Sequence, residues 1–316
     1  MFVVGGESLV DLVPASNAPD APREALPGGS PFNCAIALSR LGNRTGFLCP
    51  ISTDEYGELL WGPLQQAGVE VLLKERVATP TTKAIVSFNE KMQASYVFER
   101  GADRAFTRDG LLAALPHSVE LYQIGGFCPI RADDAAIWMD VVEAAIGRGA
   151  TISMDINVRD KLVDDEAGYR ARLSSFLDKA HLIKLSDEDQ AWLAPDMSME
   201  DYASELLERP HCELVVVTRG ELGSRGFSRT ADAQAAIYAP PIFGDTVGAG
   251  DSLMAGILTW LGETGVLKPG RLGALESADL EKTLRFGAVV AGLNCGQKGC
   301  KPPSRAEVDA VLRDLG

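Results

Sequence analysis

Histidine is nearly missing from this chain. His117, His181 and His211 are the only three among 316 residues, and no two stand at metal-ligand spacing. That argues against a histidine-built zinc site and against a Ser-His-Asp triad. Cysteine is sparse too: six, at 34, 49, 128, 212, 295 and 300, with no CxxC pair. Scattered cysteines in a chain of this length read as reduced and mostly buried, the pattern of a cytoplasmic protein. No apolar run approaches the roughly 20 residues that span a bilayer. Phe2-Val3-Val4 is too short for a secretory core and lacks a basic lead. Cations are outnumbered, with Lys plus Arg 30 against Asp plus Glu 44, a formal charge of −14. A nucleic-acid binder or an anionic-membrane binder needs clustered cations, so neither partner is expected. Two phosphate motifs are also absent. There is no GxxxxGK[ST], which excludes a P-loop, and no GxGxxG after the first apolar run.

What remains is a soluble globular composition, 46% hydrophobic with 32 glycines, on a chain long enough to bury a sizeable core. Apolar β-branched runs at 2–5, 45–50, 120–125, 151–155, 181–185 and 213–218 alternate with amphipathic stretches at 31–41, 54–66, 132–148, 167–177 and 187–193. That rhythm predicts an α/β fold with a mostly parallel sheet covered on both faces. A short β region at 225–238 and three helices near 248–262, 276–293 and 304–314 are expected to close the chain. Two segments break the rhythm. Residues 82–88 and 94–99 alternate apolar and polar around Asn89-Glu90-Lys91, the pattern of an exposed hairpin. With the polar, proline-containing excursion at 9–26 and the strand-like 69–77, they predict a small β-lid. It would be formed by about 8–27 and 69–101, inserted into a single domain of residues 1–316.

The most informative run is Gly244-Asp245-Thr246-Val247-Gly248-Ala249-Gly250-Asp251-Ser252. Leu253, Met254, Ile257, Leu258 and Leu261 follow at helical spacing, so the glycines open a buried helix. A helix N-terminus offers unpaired amides and the positive end of the dipole, and glycine lets an anion approach them. Asp251 can be read as a dipole-favoured first-turn residue. It can also be read as a base that takes a proton from an alcohol attacking a phosphoryl group held by those amides. A second signal is Pro27-Gly28-Gly29-Ser30-Pro31-Phe32-Asn33. Ser30 and Pro31 read as N-cap and first helical residue. Asn33 can donate and accept at once, which suits a hydroxyl-rich ligand.

Together these two runs resemble the signatures of the ribokinase-like, phosphofructokinase-B type carbohydrate kinases. The first stands here as Gly28-Gly29-Ser30-Pro31-Phe32-Asn33 with the helix to Gly42, the second as Asp245-Thr246-Val247-Gly248-Ala249-Gly250-Asp251. Gly6-Glu7-Ser8-Leu9-Val10-Asp11, Asp155-Ile156-Asn157-Val158-Arg159 and Lys184-Leu185-Ser186-Asp187-Glu188-Asp189 resemble segments of bacterial fructokinases and 2-keto-3-deoxygluconate kinases. Phe98-Glu99-Arg100-Gly101-Ala102-Asp103 is similar to the fructokinase FxRxxAD run.

The resemblance implies a three-layer α/β/α kinase with a β-lid that transfers phosphate from ATP to a sugar's primary hydroxyl, fructose ranked first. It makes Asp251 the base and the amides of Gly248, Ala249 and Gly250 the anion hole. Asp11, Gly29, Asn33, Arg100 and Arg159 would hold the sugar. Lys184, Ser186, Thr218, Gly220, Gly223, Gly248, Gly250 and Asn294 would lie on the ATP side. Magnesium would be held by ATP oxygens and water, with Asp189 in its outer sphere. Asp245 and Thr246 mark a monovalent-cation site, potassium being the ion implied. A homodimer through the lid is the assembly expected. The sequence departs from the family at Asp189, where Glu is usual, at Ser52-Thr53-Asp54 in place of Gly-Asp-Asp, and at Cys300, often Ala. Other readings stay open: a 2-keto-3-deoxygluconate kinase, a ribokinase or nucleoside kinase, or a non-catalytic sugar-binding homologue.

Overall fold

The computed structural model describes residues 1–15, 21–88 and 94–315. In chain order, β1 (Phe2–Gly5), β2 (Leu9–Pro14) and β3 (Arg23–Gly28) precede α1 (Ser30–Arg40), β4 (Thr45–Leu48), α2 (Glu55–Ala67) and β5 (Glu70–Val71). Then come β6 (Lys83–Phe88), β7 (Ala94–Glu99), α3 (Arg108–Ala114), β8 (Leu121–Ile124), α4 (Ala132–Gly147), β9 (Thr151–Asp155) and α5 (Glu166–Leu177). β10 (Leu182–Ser186), α6 (Asp187–Leu193), α7 (Met199–Leu207), β11 (Leu214–Thr218), β12 (Ser224–Ser228) and β13 (Asp232–Ala235) follow. α8 (Ala249–Glu263), α9 (Ser277–Cys295) and α10 (Arg305–Leu315) complete the chain.

Among the described residues the large sheet runs β13-β12-β11-β10-β9-β8-β1-β4-β5. It is parallel from β5 to β11 and antiparallel at β12 and β13. Side chains along its strands alternate between two cores. Val3, Tyr122, Ile124, Ile152, Met154 and Ile183 pack towards Trp138 and Val142 of α4 and Leu173 of α5. Phe2, Val4, Phe47, Leu182 and Val216 pack towards Leu38 of α1, Met254 and Leu258 of α8 and Phe286 of α9. Burial on both faces explains the near-continuous apolar strand sequences and yields the predicted three layers.

A second, four-stranded sheet has the order β3-β2-β6-β7, with β2 parallel to β6 and the other pairs antiparallel. The 9–26 excursion is therefore a strand pair, its residues 16–20 outside the described residues. The turn at Asn89-Glu90-Lys91 also lies outside them. Residues 69–77 differ from expectation. Only Glu70 and Val71 form a strand, and it pairs with β4 on the edge of the large sheet. Val71 is buried there against the body's core, and that apolar contact decides its sheet. Helices α3 and α7 were not anticipated; each starts at a hydroxyl cap, Thr107 for one and Ser198 for the other. Among the described residues no helix is long and apolar enough to cross a membrane.

The topology sets the site. From β1 the large sheet grows outward through β4 and β5 on one side, and through β8 and its successors on the other. Strand order reverses between β1 and β8, and ligands of open α/β sheets bind outside the carboxyl ends of strands at such a point.

Candidate active site

Four segments reach the carboxyl ends of these strands. They are the start of α1, the start of α8, the turn after β9 and the end of β10. Gly29 is the N-cap of α1 with φ 106°, and a Cβ there would stand 3.0 Å from the Glu7 carbonyl oxygen. Only glycine fits both the backbone angle and the space. Ser30 is thus the first helical residue, not the cap as its sequence suggested. Its hydroxyl is turned elsewhere: Ser30 Oγ donates to Asp251 Oδ1 at 2.6 Å. One turn on, Asn33 Nδ2 donates to Asp251 Oδ2 at 2.8 Å. Packing of α1 against α8 brings these partners together across more than two hundred residues of chain.

Asp251 lies in the first turn of α8 and is 9% exposed. Burial raises its carboxyl above the ordinary carboxylate range, while Ser30, Asn33, Lys184 and Arg159 pull it back. Gly248 caps the helix in the left-handed region at φ 72°. Cys300 packs on it so closely that a Cβ at 248 would stand 2.3 Å from the thiol sulfur. The expected anion hole is modified at one position. The Ala249 amide donates to the Thr246 carbonyl oxygen at 3.1 Å, so it closes the turn. Among the described residues no acceptor meets the amides of Gly248, Gly250 and Asp251.

Beneath this turn Lys184, in the middle of β10, extends its Nζ to both Asp155 oxygens at 2.9 and 2.8 Å. A Cβ on Gly250 would stand 3.4 Å from that Nζ. Burial alone lowers the ammonium's pKa, but Asp155, Asp189 and Asp251 outweigh it and hold Lys184 protonated. The expected anion hole thus lies over a buried ammonium that is paired with Asp155.

Asp189 is already engaged. Its Oδ1 accepts from the Val158 amide at 2.7 Å, and its Oδ2 from the Ser186 amide and hydroxyl, each at 2.8 Å. Ser186 caps α6 in a capping box with Asp189. Both expected ligand residues therefore fix the turn after β9, where Asn157 sits at φ 43° and Arg159 follows. Arg159 Nη1 donates to the Val158 carbonyl oxygen at 3.1 Å. Among the described residues no three His, Cys, Asp or Glu side chains assemble a metal site.

On the small sheet, Asp11 pairs with Leu26 across the β2–β3 pair and reaches diagonally to Gly28, its Oδ2 2.5 Å from where a Cβ would stand. Burial pushes the Asp11 carboxyl up to about 6, opposed by Arg159. Arg100 leaves β7 and returns to Asp103: Nε at 2.8 Å and Nη2 at 2.6 Å from Oδ2. The guanidinium lies 4.6 Å above the Phe127 ring. Thr82 Oγ1 donates to Asp103 and accepts from the Gly101 amide. The FxRxxAD run therefore ties the end of β7 to the start of β6 and to the large sheet's crevice.

Thr218 ends β11, and Gly220 (φ 52°) and Gly223 (φ 80°) shape the short turn after it. A Cβ on Gly223 would stand 2.1 Å from the Ala235 carbonyl oxygen. Asn294 is fully buried, and its amide is spent on structure. Nδ2 donates to the Val247 carbonyl oxygen and Oδ1 accepts from the Lys301 amide, each at 2.8 Å. Asp245 does similar work, accepting from Val247 at 2.9 Å and Gly299 at 2.7 Å. Asn294 and Asp245 pin the loop that leads into the start of α8. Leu222, Ile242, Phe243 and Val247 on the neighbouring loops are exposed apolar side chains.

A buried carboxylate held by two donors at an amide-lined helix start, with a cation beneath it, defines a phosphotransferase with an alcohol acceptor. The chain belongs to the pfkB family of carbohydrate kinases, whose model matches residues 3–307. A curated relative, "Probable fructokinase-3" of Arabidopsis thaliana, is 29% identical over 98% of this chain and 90% of its own length. Fructokinase-2 of Solanum lycopersicum is 28% identical over 99% of this chain and 96% of its own. Among solved structures, a fructokinase from Xylella fastidiosa with bound ATP superposes with a TM-score of 0.85. It is 22% identical, covering 99% of this chain and 98% of that one.

Proposed function

We propose that the protein is an ATP-dependent fructokinase that forms fructose 6-phosphate. The observation that carries the reading is the Asp251 carboxylate, held by Ser30 and Asn33 at the open amides of α8. In that position it accepts the proton of the sugar's primary hydroxyl as the oxygen attacks the γ-phosphorus. The amides of Gly248, Gly250 and Asp251, the α8 dipole and the Lys184 charge stabilise the transferring phosphoryl group. Thr218, Gly220 and Gly223 line the approach of the nucleotide's phosphates. Magnesium, held by the nucleotide's oxygens, would supply charge neutralisation, which fits a site whose nearby acids already have protein partners. Asp245 is the charged group a potassium ion would meet beside the anion hole.

Fructose is favoured by the FxRxxAD run and by curated fructokinases that match nearly the whole chain. Asp11, Gly29, Asn33 and Arg159 surround the sugar, and the four-stranded sheet serves as its lid. The Arg100 and Arg159 cations are the one feature that suits a sugar acid instead. An ADP-release assay with a panel of hexoses, ribose, nucleosides and 2-keto-3-deoxygluconate decides between them. Fructose should give the highest kcat/KM; a sugar acid or nucleoside ahead of it would replace this reading. Replacing potassium by choline in the same assay tests the cation. The cytoplasm is the compartment proposed. Val97, 59% exposed on β7 at the sheet edge, marks the side for pairing in a dimer, which sedimentation would detect.

A further inference from the structure

Arg100 and Arg159 are two cations of the crevice, and the structure treats them differently. Both attract the buried Glu7 carboxyl, so both converge on the carboxyl end of β1. β7, which leads into Arg100, packs beside the 160–162 turn that follows Arg159. Phe127, past the end of β8, lies 4.6 Å from the Arg100 guanidinium carbon. Among the described residues Arg159 donates only to carbonyl oxygens of its own turn, with Asp11 in electrostatic reach. Arg100 is instead paired outright.

Asp103 takes Arg100 Nε at 2.8 Å and Nη2 at 2.6 Å on one oxygen, and its side chain is fully buried. Its other oxygen accepts from Thr82 Oγ1 and from the Gly101 amide at 3.4 Å. The chain around it is pinned. The Ala102 amide donates to the Pro80 carbonyl oxygen at 2.8 Å, and a Cβ on Gly101 would stand 2.1 Å from that same oxygen. Asp103 is therefore a fixed anion, shielded from salt by its burial. An arginine bound to such a partner presents a dipole in place of a net charge. Its Nη1 has no acceptor among the described residues, and its side chain is 15% exposed. That edge can still donate to a hydroxyl oxygen. A carboxylate would gain far less there than from an unpaired guanidinium, because Asp103 repels it from behind.

We propose that Asp103 is a positioning residue that sets the class of sugar. It aims the Nη1 edge of Arg100 at a sugar hydroxyl and cancels the charge that a sugar acid would use. The pocket then favours a neutral ketose. This rests on the fructokinase reading and deepens it.

The test measures kcat/KM for fructose and for 2-keto-3-deoxygluconate in wild type, in Asp103→Asn, and in Asp103→Asn combined with Arg100→Met. Asparagine keeps an oxygen for Thr82 and Gly101 and removes the charge that neutralises Arg100. In Asp103→Asn the sugar acid's kcat/KM relative to that of fructose should rise about 10- to 100-fold, the worth of a hydrogen bond to a charged group. The double variant should return close to the wild-type ratio. A purely structural Asp103 lowers both substrates alike, so an unchanged ratio in Asp103→Asn overturns the proposal. A shift that survives the loss of Arg100 overturns it too. Should the variants fail to fold, wild type carries the test. Fructose phosphorylation is inhibited with D-gluconate and with D-glucitol, which differ by a carboxylate in place of a hydroxymethyl group. Gluconate should inhibit no better than glucitol. An inhibition constant lower for gluconate by about 10-fold or more marks an unneutralised cation and overturns the idea. A wild type that prefers ribose or a nucleoside refutes the fructokinase reading alone, and the Asp103→Asn shift is then read against that neutral substrate. A wild type that prefers the sugar acid overturns both.

Discussion

Asp251→Asn is expected to lower kcat by about 10²–10⁴, the worth of a general base, while leaving ATP affinity nearly unchanged. The substitution is close to isosteric. Ser30 can still donate to the retained oxygen, but the new amide places its own donor against Ser30 or Asn33, which both donate to the carboxylate now. What disappears is the proton acceptor. The open amides of Gly248 and Gly250 and the charge of Lys184 remain, so the nucleotide keeps its contacts. Calorimetry with an ATP analogue beside steady-state kinetics would read the two effects separately. Turnover within a few-fold of wild type would refute the base assignment. Weakened ATP binding with normal kcat would assign Asp251 to phosphate binding instead. The pH profile gives a second reading. A base works only when ionised, and burial has raised this carboxyl. The acid limb of kcat should therefore fall at a pH above the ordinary aspartate value of about 3.9. Asp251→Asn should abolish that limb.

The candidate base, Asp251, was legible because its evidence is local: glycines, an acid and a helical stripe between Gly244 and Leu261. The partners that hold it were less so. Asn33 was read as a ligand for hydroxyls, but its Nδ2 is spent on Asp251. Ser30 was read as a helix cap, because Ser before Pro is the usual capping pattern. A positive φ at Gly29 moved the helix start by one residue and released the hydroxyl for a partner 221 positions away. No window along the chain contains that information. Asn294 and Asp189 show the same limit from the other side. Their residue types suit adenine or magnesium, and the structure spends their polar atoms on backbone groups of the loops that carry the site. The large sheet's parallel character followed from its apolar runs, since six of its strands, buried on both faces, leave a plain pattern; their order did not. Residues 69–77 carried a strand signal too weak to say which sheet would take them. Two paired residues and one buried Val71 were enough to decide.

Lys184→Met is expected to destabilise the fold by about 3–5 kcal/mol, because it strands Asp155 as an uncompensated buried carboxylate. The side chains are 6% and 4% exposed, so water cannot replace the lost partner. Asp155 stands on β9 beside β10, where the strands pair Lys184 with Asp155 in register, so neither residue can swing away. For a chain of this size the Tm should drop by roughly 5–8 °C. Adding Asp155→Leu removes the stranded charge and should restore much of that loss, since buried pairs exchanged for apolar residues are often near neutral in stability. Activity should behave differently. Lys184 lies under Gly250, where its charge serves the transferring phosphoryl group, so the double variant regains Tm while kcat stays low. Recovery of both together would make the pair a purely structural element. Loss of kcat with no loss of Tm in the single variant would mean that Asp155 finds another donor in the cleft.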